Sequence, residues 1–195
     1  NLFVPEHRTL TAWAFNGKSH PGSALNPSPL FRLPLLALGP YVLSGVMLGC
    51  AQGAYETVVG AARKRNATTT GQPVGASQAV QIKVAEASAR IDAAELMMGH
   101  VCRHAMDVAR ADRDPLQEDK LRYRRDAFFS VRLCLEAVDI LMGVAGSSGL
   151  YLSGSMQRLF RDAHAANAHV MFSTDVQGAL FGQHALGMAG PPPLL

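Results

Sequence analysis

The segment from Gln157 to His169 concentrates the side chains of this sequence that could do chemistry. Two arginines, one aspartate and two histidines stand there among small and apolar residues: Arg158, Arg161, Asp162, His164 and His169. Burying so much polarity is costly unless partners satisfy each group. The pattern therefore predicts either a functional site or a structural ion pair between Arg161 and Asp162 with exposed histidines.

A second pair of histidines has the spacing of metal ligands. His100 and His104 are four residues apart, so they share one face of a helix. No carboxylate is placed with them, and Arg103 lies between them. We interpret both as surface or packing residues and predict no metal site.

Composition excludes some classes of partner. The 195 residues carry 18 basic and 15 acidic side chains and a net charge of +3, with no dense basic block. The short run from Arg122 to Arg125 has charges on both sides and predicts a solvated helix face. Nucleic acid is therefore not an expected ligand.

Cysteine usage and hydropathy bear on the compartment. Cys50, Cys102 and Cys134 are far apart and lie in apolar helical stretches, which predicts reduced packing residues and, weakly, a cytoplasmic location. The uncharged run from Leu33 to Tyr55 is long enough to be mistaken for a membrane span. It contains prolines and continues into a charged segment, so we predict a buried helix and no membrane contact.

Helical periodicity governs the sequence after residue 33. It predicts helices over 39–65, 77–111 and 116–144, a fourth from about 155 and a last one over 175–186. Glycine, proline and serine clusters separate them. Long helices with short connections predict an all-α fold, an up-down four-helix bundle.

Apolar seams run along these predicted helices. On the second the seam comprises Val80, Val84, Ala87, Ile91, Ala94, Met98, Val101, Ala105 and Val108. On the third it comprises Phe128, Val131, Leu135, Val138 and Met142. The first helix has a smooth stripe of Gly45, Gly49 and Gly53. Such seams usually bury more surface than one bundle offers, so we predict a homo-oligomer, a dimer or a tetramer.

The first 33 residues have a different character. Residues 1–15 alternate apolar and polar runs and predict a short strand or two, whereas 16–33 have the composition of a linker. Because the sequence opens at Asn1 in apparent mid-strand, we expect a piece of a longer protein. The predicted domains are the end of a β domain with its linker at 1–33, the helical bundle at 34–190 and a tail at 191–195.

Several motifs, taken in order, resemble the acyl-CoA dehydrogenase superfamily. That family closes its bundle with a Gly-Gly-x-Gly turn followed about eleven residues later by Arg-Asp. This sequence has Gly146-Ser147-Ser148-Gly149 and then Arg161-Asp162. The family opens its second bundle helix with a Phe-Gly, a Gln and a Leu-Ala-Glu stretch. Thr70-Gly71, Gln78 and Val84-Ala85-Glu86 occupy these places, and the resemblance covers about residues 34–188.

The departures from the family pattern are informative. Where some family dehydrogenases carry their catalytic Glu, this sequence has Val170, which cannot abstract a proton. The family's Phe after its flavin-binding Arg is Thr70 here. The register position of that Arg holds Ala67, and Arg65 is the nearest substitute.

One branch of the superfamily, the oxygenase components of two-component flavin monooxygenases, fits these departures better. Its Phe-Val-Pro-x-His-Arg motif is matched by residues 3–8, and its Pro-Leu-x-Arg-Leu-Pro loop by residues 29–34. Its Arg-Asp with a His seven residues after the Asp is matched by Arg161-Asp162 and His169. The resemblance implies that His169 faces substrate and flavin, where an imidazole can accept or share a proton at neutral pH.

The resemblance implies a reduced-flavin-dependent monooxygenase that hydroxylates an aromatic or heteroaromatic small molecule with O2. Reduced FMN or FAD would come from a separate flavin reductase. The implied flavin-binding residues are Arg65, Thr70, Gln78, Gly146, Ser147 and Ser148, and the implied catalytic residue is His169. Two alternatives stay open: an acyl-CoA dehydrogenase-like flavoprotein with a base from elsewhere, and a non-catalytic helical oligomerisation domain.

Overall fold

The computed structural model describes residues 2–10, 16–17 and 21–188. Six α-helices occupy this part of the chain. They are α1 (Leu35–Leu38), α2 (Pro40–Ala62), α3 (Gln78–Arg110), α4 (Gln117–Ala145), α5 (Ser155–Asn167) and α6 (Thr174–Ala185). Short 3-10 turns lie between several of them, notably Val74–Ala76, Gly146–Leu150 and Val170–Phe172.

The core lies where α2, α3, α4 and α5 meet. The helices contribute small and medium-sized residues, which lets their axes approach closely. The buried members include Met47, Ala51, Ala54, Val58, Ala87, Ile91, Ala94, Val131, Cys134, Val138, Leu141, Met156 and Ala163. The last helix, α6, packs against α4 from outside this core. The arrangement confirms the predicted all-α bundle.

The predicted helices are confirmed, and one predicted face is shifted. The seam of α3 is buried from Ala87 to Val108, as its spacing indicates. On α4, however, Leu135 and Met142 are only half-buried, and Cys134 and Leu141 take the central positions with no exposed surface. Because α4 contacts α2, α3, α5 and α6, a single stripe underestimates how much of its circumference is covered.

The predicted N-terminal strand is not seen in residues 2–10. These residues are extended or irregular apart from a 3-10 turn at Glu6–Arg8. Pro5 cannot donate to a strand ladder, and no neighbouring strand pairs with residues 2–10. Residues 11–15, which the same prediction covered, and the tail at 191–195 lie outside the described residues.

The segment before α1 is attached to the end of the bundle at which α3 connects to α4. The guanidinium of Arg32 forms an ion pair with Asp112 in the connection between α3 and α4. Asp112 has a positive φ of 57°, which helps to end α3, and Pro115 follows before α4 begins. The start of the bundle is thereby held against its α3–α4 corner.

The basic run on α4 is not the solvated face that the sequence predicts. Tyr123 in its centre is 1% exposed, and Arg124 is half-buried. Arg125 lies 4.5 Å from the centre of the Phe181 ring and pairs with buried Asp126 at 2.6 Å. Only Arg122 behaves as predicted, in an exposed pair with Glu118. The difference arises because neighbours cover two sides of α4 here: α1 and α3 pack on Tyr123, and Phe181 of α6 covers Arg125.

The cysteines are all unpaired, and two of the three are packing residues. Cys50 and Cys134 are buried, and burial raises the pKa of Cys134 to about 12, so its thiol stays protonated. Cys102 is exposed, contrary to the prediction for it.

The segment Leu35–Ala62 has the length and composition of a membrane-crossing helix, and a third of its most apolar window is buried in the bundle. Core helices share that composition, and α2 lines the core.

Candidate functional site

A cavity of about 320 Å³ opens at one end of the bundle. Its walls come from the C-terminal half of α2 with Arg65 after it, the Val74 turn, the end of α4, the Gly146–Leu150 turn and the start of α5. Most of the described residues that line the cavity are apolar or small, and Arg65 is the only charged residue among them. The lining comprises Thr57, Val58, Ala61, Ala62, Arg65, Val74, Val144, Ala145, Ser148, Gly149, Gly154, Ser155 and Met156. Five sequence segments thus converge here.

Two of the predicted flavin-binding residues meet in this cavity. Arg65 follows the end of α2, and its Nη1 donates hydrogen bonds to the Ala145 carbonyl oxygen at 3.2 Å and to Ser148 Oγ. Ser148 Oγ in turn donates to the same Ala145 oxygen at 2.6 Å. The three groups form a closed triangle at the rim of the cavity.

The turn that carries Ser148 depends on two glycines. Gly146 ends α4 with φ 61° and ψ −146°, a conformation that residues with a Cβ rarely adopt. A Cβ at Gly149 would lie 2.9 Å from both the Ala145 Cβ and the Met142 sulfur. The glycines let the chain turn directly beside the end of α4, which places Ser148 within reach of Arg65.

The electrostatics of the cavity favour an anionic group. Among the described residues, no carboxylate pairs with Arg65 and none lines the cavity. The N-terminus of α5, at Gly154 and Ser155, also faces it, with no side chain capping its backbone amides. A guanidinium and a helix N-terminus both attract negative charge, so the cavity fits an apolar body with a phosphate or similar anion.

The other predicted cofactor residues lie outside the cavity. Thr70 is exposed in the loop between α2 and α3, where its Oγ1 accepts a hydrogen bond from the Gln72 amide. Gln78 is exposed at the first position of α3. Gly146 shapes the turn, and Ser147 is exposed beside it. The structure therefore brings Arg65 and Ser148 together in the cavity and leaves the other four residues outside its lining.

His169 lies beyond the opposite end of α5. It is exposed, and its Nδ1 accepts a hydrogen bond of 3.2 Å from the Met171 amide, which caps the 3-10 turn Val170–Phe172. Its ring centre is 6.2 Å from that of Phe172, and the neighbouring Val170 is 63% exposed. Since α5 has 13 residues, about 20 Å separates this end from the cavity.

The remaining polar residues of the segment are partly accounted for by exposed contacts. Arg161 and Asp162 approach to 3.9 Å and are both more than half exposed, which matches the structural ion pair that the sequence left open. His164 Nε2 lies 2.9 Å from Asp139 Oδ1 on α4, also at the surface. Neither pair lines the cavity.

Of the two histidines on α3 that have the spacing of metal ligands, His104 has a structural role. His104 Nδ1 hydrogen-bonds Tyr123 OH at 2.8 Å, and burial, with the Asp119 charge, raises the pKa of Tyr123 to about 12. The His100 ring stacks on that of His104 at 6.3 Å. Among the described residues, no group of three or more metal-binding side chains comes together.

Sequence reasoning missed the walls of the cavity. Val58, Ala61 and Ala62 lie on one face of α2, and Arg65 continues their spacing just after the helix ends. A charged residue at the end of a small and apolar stripe was therefore an available signal. Thr57, whose hydroxyl lies 3.2 Å from that of Ser155, gave no such signal. Its partner is 98 residues away in the sequence.

Comparison with known proteins places this geometry in context. Residues 41–174 match the family described as acyl-CoA dehydrogenase, C-terminal domain. The chain is 36% identical to the FADH(2)-dependent resorcinol hydroxylase, oxygenase component, of a Rhizobium species, over 96% of this chain and 48% of that protein. It is 30% identical to the oxygenase subunit HsaA of a flavin-dependent monooxygenase from Mycobacterium tuberculosis, over 98% and 48% respectively.

Solved structures of similar proteins have the same fold. The fold superimposes on 3-HSA hydroxylase from Rhodococcus sp. RHA1 with a TM-score of 0.89 and 26% identity, covering all of this chain and 50% of that one. It superimposes on XiaF from a Streptomyces species, in complex with FADH2 and glycerol, with a TM-score of 0.86 and 27% identity, covering 100% and 49%. The chain spans about half the length of the relatives that it matches.

Proposed function

Since the chain belongs to the acyl-CoA dehydrogenase family through its C-terminal domain, we propose that the complete protein is the oxygenase component of a reduced-flavin-dependent aromatic hydroxylase. The observation that carries the proposal is the cavity around Arg65, which is apolar, free of carboxylates and positively charged. A phosphate-bearing cofactor with a flat apolar ring system fits that chemistry. The names of the relatives supply the reaction class.

The proposed reaction inserts one oxygen atom of O2 into an aromatic C–H bond, and the other atom leaves as water. Reduced flavin, when bound, supplies the two electrons and leaves oxidised. We favour FAD over FMN because the resorcinol hydroxylase and the XiaF complex both name FADH2. The substrate would be a small phenol or a related heteroaromatic compound.

Each end of α5 has a separate task in this proposal. At the start of α5, Arg65 and the free backbone amides would hold a phosphate of the cofactor, and the apolar wall formed by Val58, Val74 and Met156 would exclude water. At the far end, the exposed imidazole of His169 would hydrogen-bond the substrate hydroxyl or the oxygen being transferred.

The residue beside His169 argues against dehydrogenation. Val170 occupies the position at which some family dehydrogenases carry their catalytic Glu, and its side chain is 63% exposed and apolar. A valine cannot take the proton that α,β-dehydrogenation of an acyl-CoA removes. The proposal therefore favours oxygen transfer over acyl-CoA oxidation.

A direct assay separates the two chemistries. We expect the complete protein, given enzymatically reduced flavin, O2 and a panel of phenols, to form a hydroxylated product. Acyl-CoA substrates with an artificial electron acceptor should give no turnover. Steady dye reduction by any acyl-CoA would overturn the proposal, and so would failure of the protein to bind reduced flavin.

The protein would work with partners. A separate flavin reductase would supply the reduced cofactor, as the term oxygenase component implies for the relatives. We also propose a homodimer or homotetramer in the cytoplasm, where the three unpaired thiols would stay reduced.

An open face on α2 supports the oligomer. Val42 is 76% exposed and Val46 is 55% exposed, and a Cβ built at Gly45 or Gly49 meets nothing within 4 Å. Gly53, the third member of the stripe, packs instead against Leu159 of α5. We expect light scattering at micromolar concentration to give at least a dimer. A monomer would overturn this part of the proposal.

A further inference from the structure

We propose that Ser148 is a positioning residue that orients the guanidinium of Arg65 toward an anionic group of the ligand. This inference rests on the proposed function, because it concerns the same cavity. It assigns Ser148 a role through Arg65, whereas the family resemblance implies only that the turn contacts the cofactor. The geometry of three groups carries it: Arg65, Ser148 and the Ala145 carbonyl.

The hydrogen bonds fix one corner of the guanidinium. An arginine has five N–H donors, two of them on Nη1. Both side-chain hydrogen bonds that Arg65 makes with the described residues use Nη1, one to the Ala145 oxygen and one to Ser148 Oγ. With Nη1 held, the edge formed by Nε and Nη2 remains for a ligand. That edge presents two parallel donors, which is the geometry that binds a phosphate or carboxylate in a bidentate manner.

Ser148 is itself held in the orientation that this task requires. Its hydroxyl hydrogen is donated to the Ala145 oxygen at 2.6 Å, so its lone pairs remain to accept from Arg65. Rotation of the Ser148 side chain about its Cα–Cβ bond would break both contacts together. An alanine at this position would leave Nη1 with the Ala145 oxygen alone, about which the guanidinium could pivot.

Two separate elements bring Arg65 and Ser148 together. Arg65 lies three residues after the end of α2. Ser148, which is brought to it by the turn after α4, supplies the contact that aims it.

A double-mutant cycle tests the assignment in the complete protein. We expect Ser148→Ala to weaken binding of reduced FAD and reduced FMN about tenfold, the size of effect expected for one hydrogen bond to a charged group. In an Arg65→Met background, the same substitution should change affinity less than about twofold, because the group that Ser148 positions is absent.

Two further variants serve as controls. Ser148→Thr keeps the hydroxyl and should restore affinity to within about twofold of the unsubstituted protein. Ser153→Ala removes an exposed hydroxyl in the connection before α5, outside the cavity lining, and should have no effect. Thermal melts of all variants establish that the fold is retained.

The outcomes are distinct. Equal losses from Ser148→Ala in both backgrounds, or no loss in either, would overturn the positioning role and leave the proposed function standing. A matching loss from Ser153→Ala would also overturn it. Absence of reduced-flavin binding by the unsubstituted protein would overturn the proposed function itself.

Discussion

The two ends of α5 differ in how much of the surrounding structure this chain supplies. At its start, five segments enclose a cavity, and Arg65 is anchored by Ala145 and Ser148. At its other end, His169 and Val170 are exposed, His169 caps its own turn, and the Val170 carbonyl oxygen accepts a hydrogen bond from Gln177 of α6. About 20 Å of helix separates them. A ligand that contacts both ends of α5 in one chain would have to span that distance.

The difference separates two kinds of functional residue. A cofactor-holding group gains from rigid anchoring within one chain, because pre-ordered donors lose less entropy on binding. A residue that meets a changing substrate has to remain accessible. The following substitutions test whether the two ends behave in these different ways.

The largest expected effect is at His169. His169→Ala should lower the rate of product formation by about 10² to 10³ if the imidazole donates a hydrogen bond to a reacting oxygen in the proposed reaction. More of the O2 consumed should appear as hydrogen peroxide. Because the side chain is exposed, the melting temperature should change little. Product, peroxide and melting curves are measured together.

Two further variants serve as controls for His169→Ala. His169→Asn keeps a side-chain acceptor for the Met171 amide and so preserves the cap while removing the imidazole. His164→Ala removes another exposed histidine, one that pairs with Asp139. It should leave unchanged the fraction of consumed O2 that ends in hydroxylated product. If a folded His169 variant hydroxylates normally, His169 has no place in the active site.

A smaller effect is expected at the turn that builds the cavity end. Gly146→Ala should lower the free energy of unfolding by about 1–3 kcal/mol, because its backbone conformation is strained for any residue with a Cβ. Since nothing lies within 4 Å of a built Cβ there, the cost would come from the backbone alone. Urea denaturation measures it.

Gly143 is the matched control for the turn. It lies one turn earlier in α4, is exposed and also has open space around a built Cβ. Gly143→Ala should stabilise the protein by about 0.5–1 kcal/mol through its helix propensity. Equal effects at the two glycines would contradict the role assigned to the turn at Gly146.

The smallest effect is expected at the surface beside His169. Val170→Ala should change the free energy of unfolding of this chain by less than about 0.5 kcal/mol, as for other exposed positions. Val58→Ala, in the wall of the cavity and 3% exposed, should cost about 2 kcal/mol. A large loss at Val170 in the isolated chain would show that the His169 end is already packed.

Repeating the valine pair in the complete protein sharpens the comparison. If an assembled partner or another domain covers Val170, its substitution should then become more costly, while the cost at Val58 stays the same. Denaturation at several protein concentrations separates the contribution of assembly, because stability that comes from association depends on concentration.

Periodicity was enough to predict most of the fold. The α3 seam was predicted nearly residue by residue, because helical spacing directly reports one buried face. The α4 face was shifted and its basic run misjudged, because several neighbours pack on α4 and the position of α6 is not encoded in the local pattern of α4.

The candidate site was harder to predict. Arg65 and Ser148 were found through family resemblance, but their contact joins positions 83 residues apart, which no local pattern reveals. Thr57 and Ser155 meet in the same way across 98 residues. Thr70 and Gln78 matched motif positions without reaching the cavity in this chain.

The cap at His169 has a consequence for proton placement. The Met171 amide can only donate, so Nδ1 must be the accepting nitrogen and the neutral ring carries its proton on Nε2. The backbone thereby selects one tautomer, in which the nitrogen left for a ligand is a donor. To act as a base, the ring would have to give up the bond that caps its own turn. In this arrangement His169 is prepared to hydrogen-bond an oxygen atom of a ligand rather than to remove a proton from it.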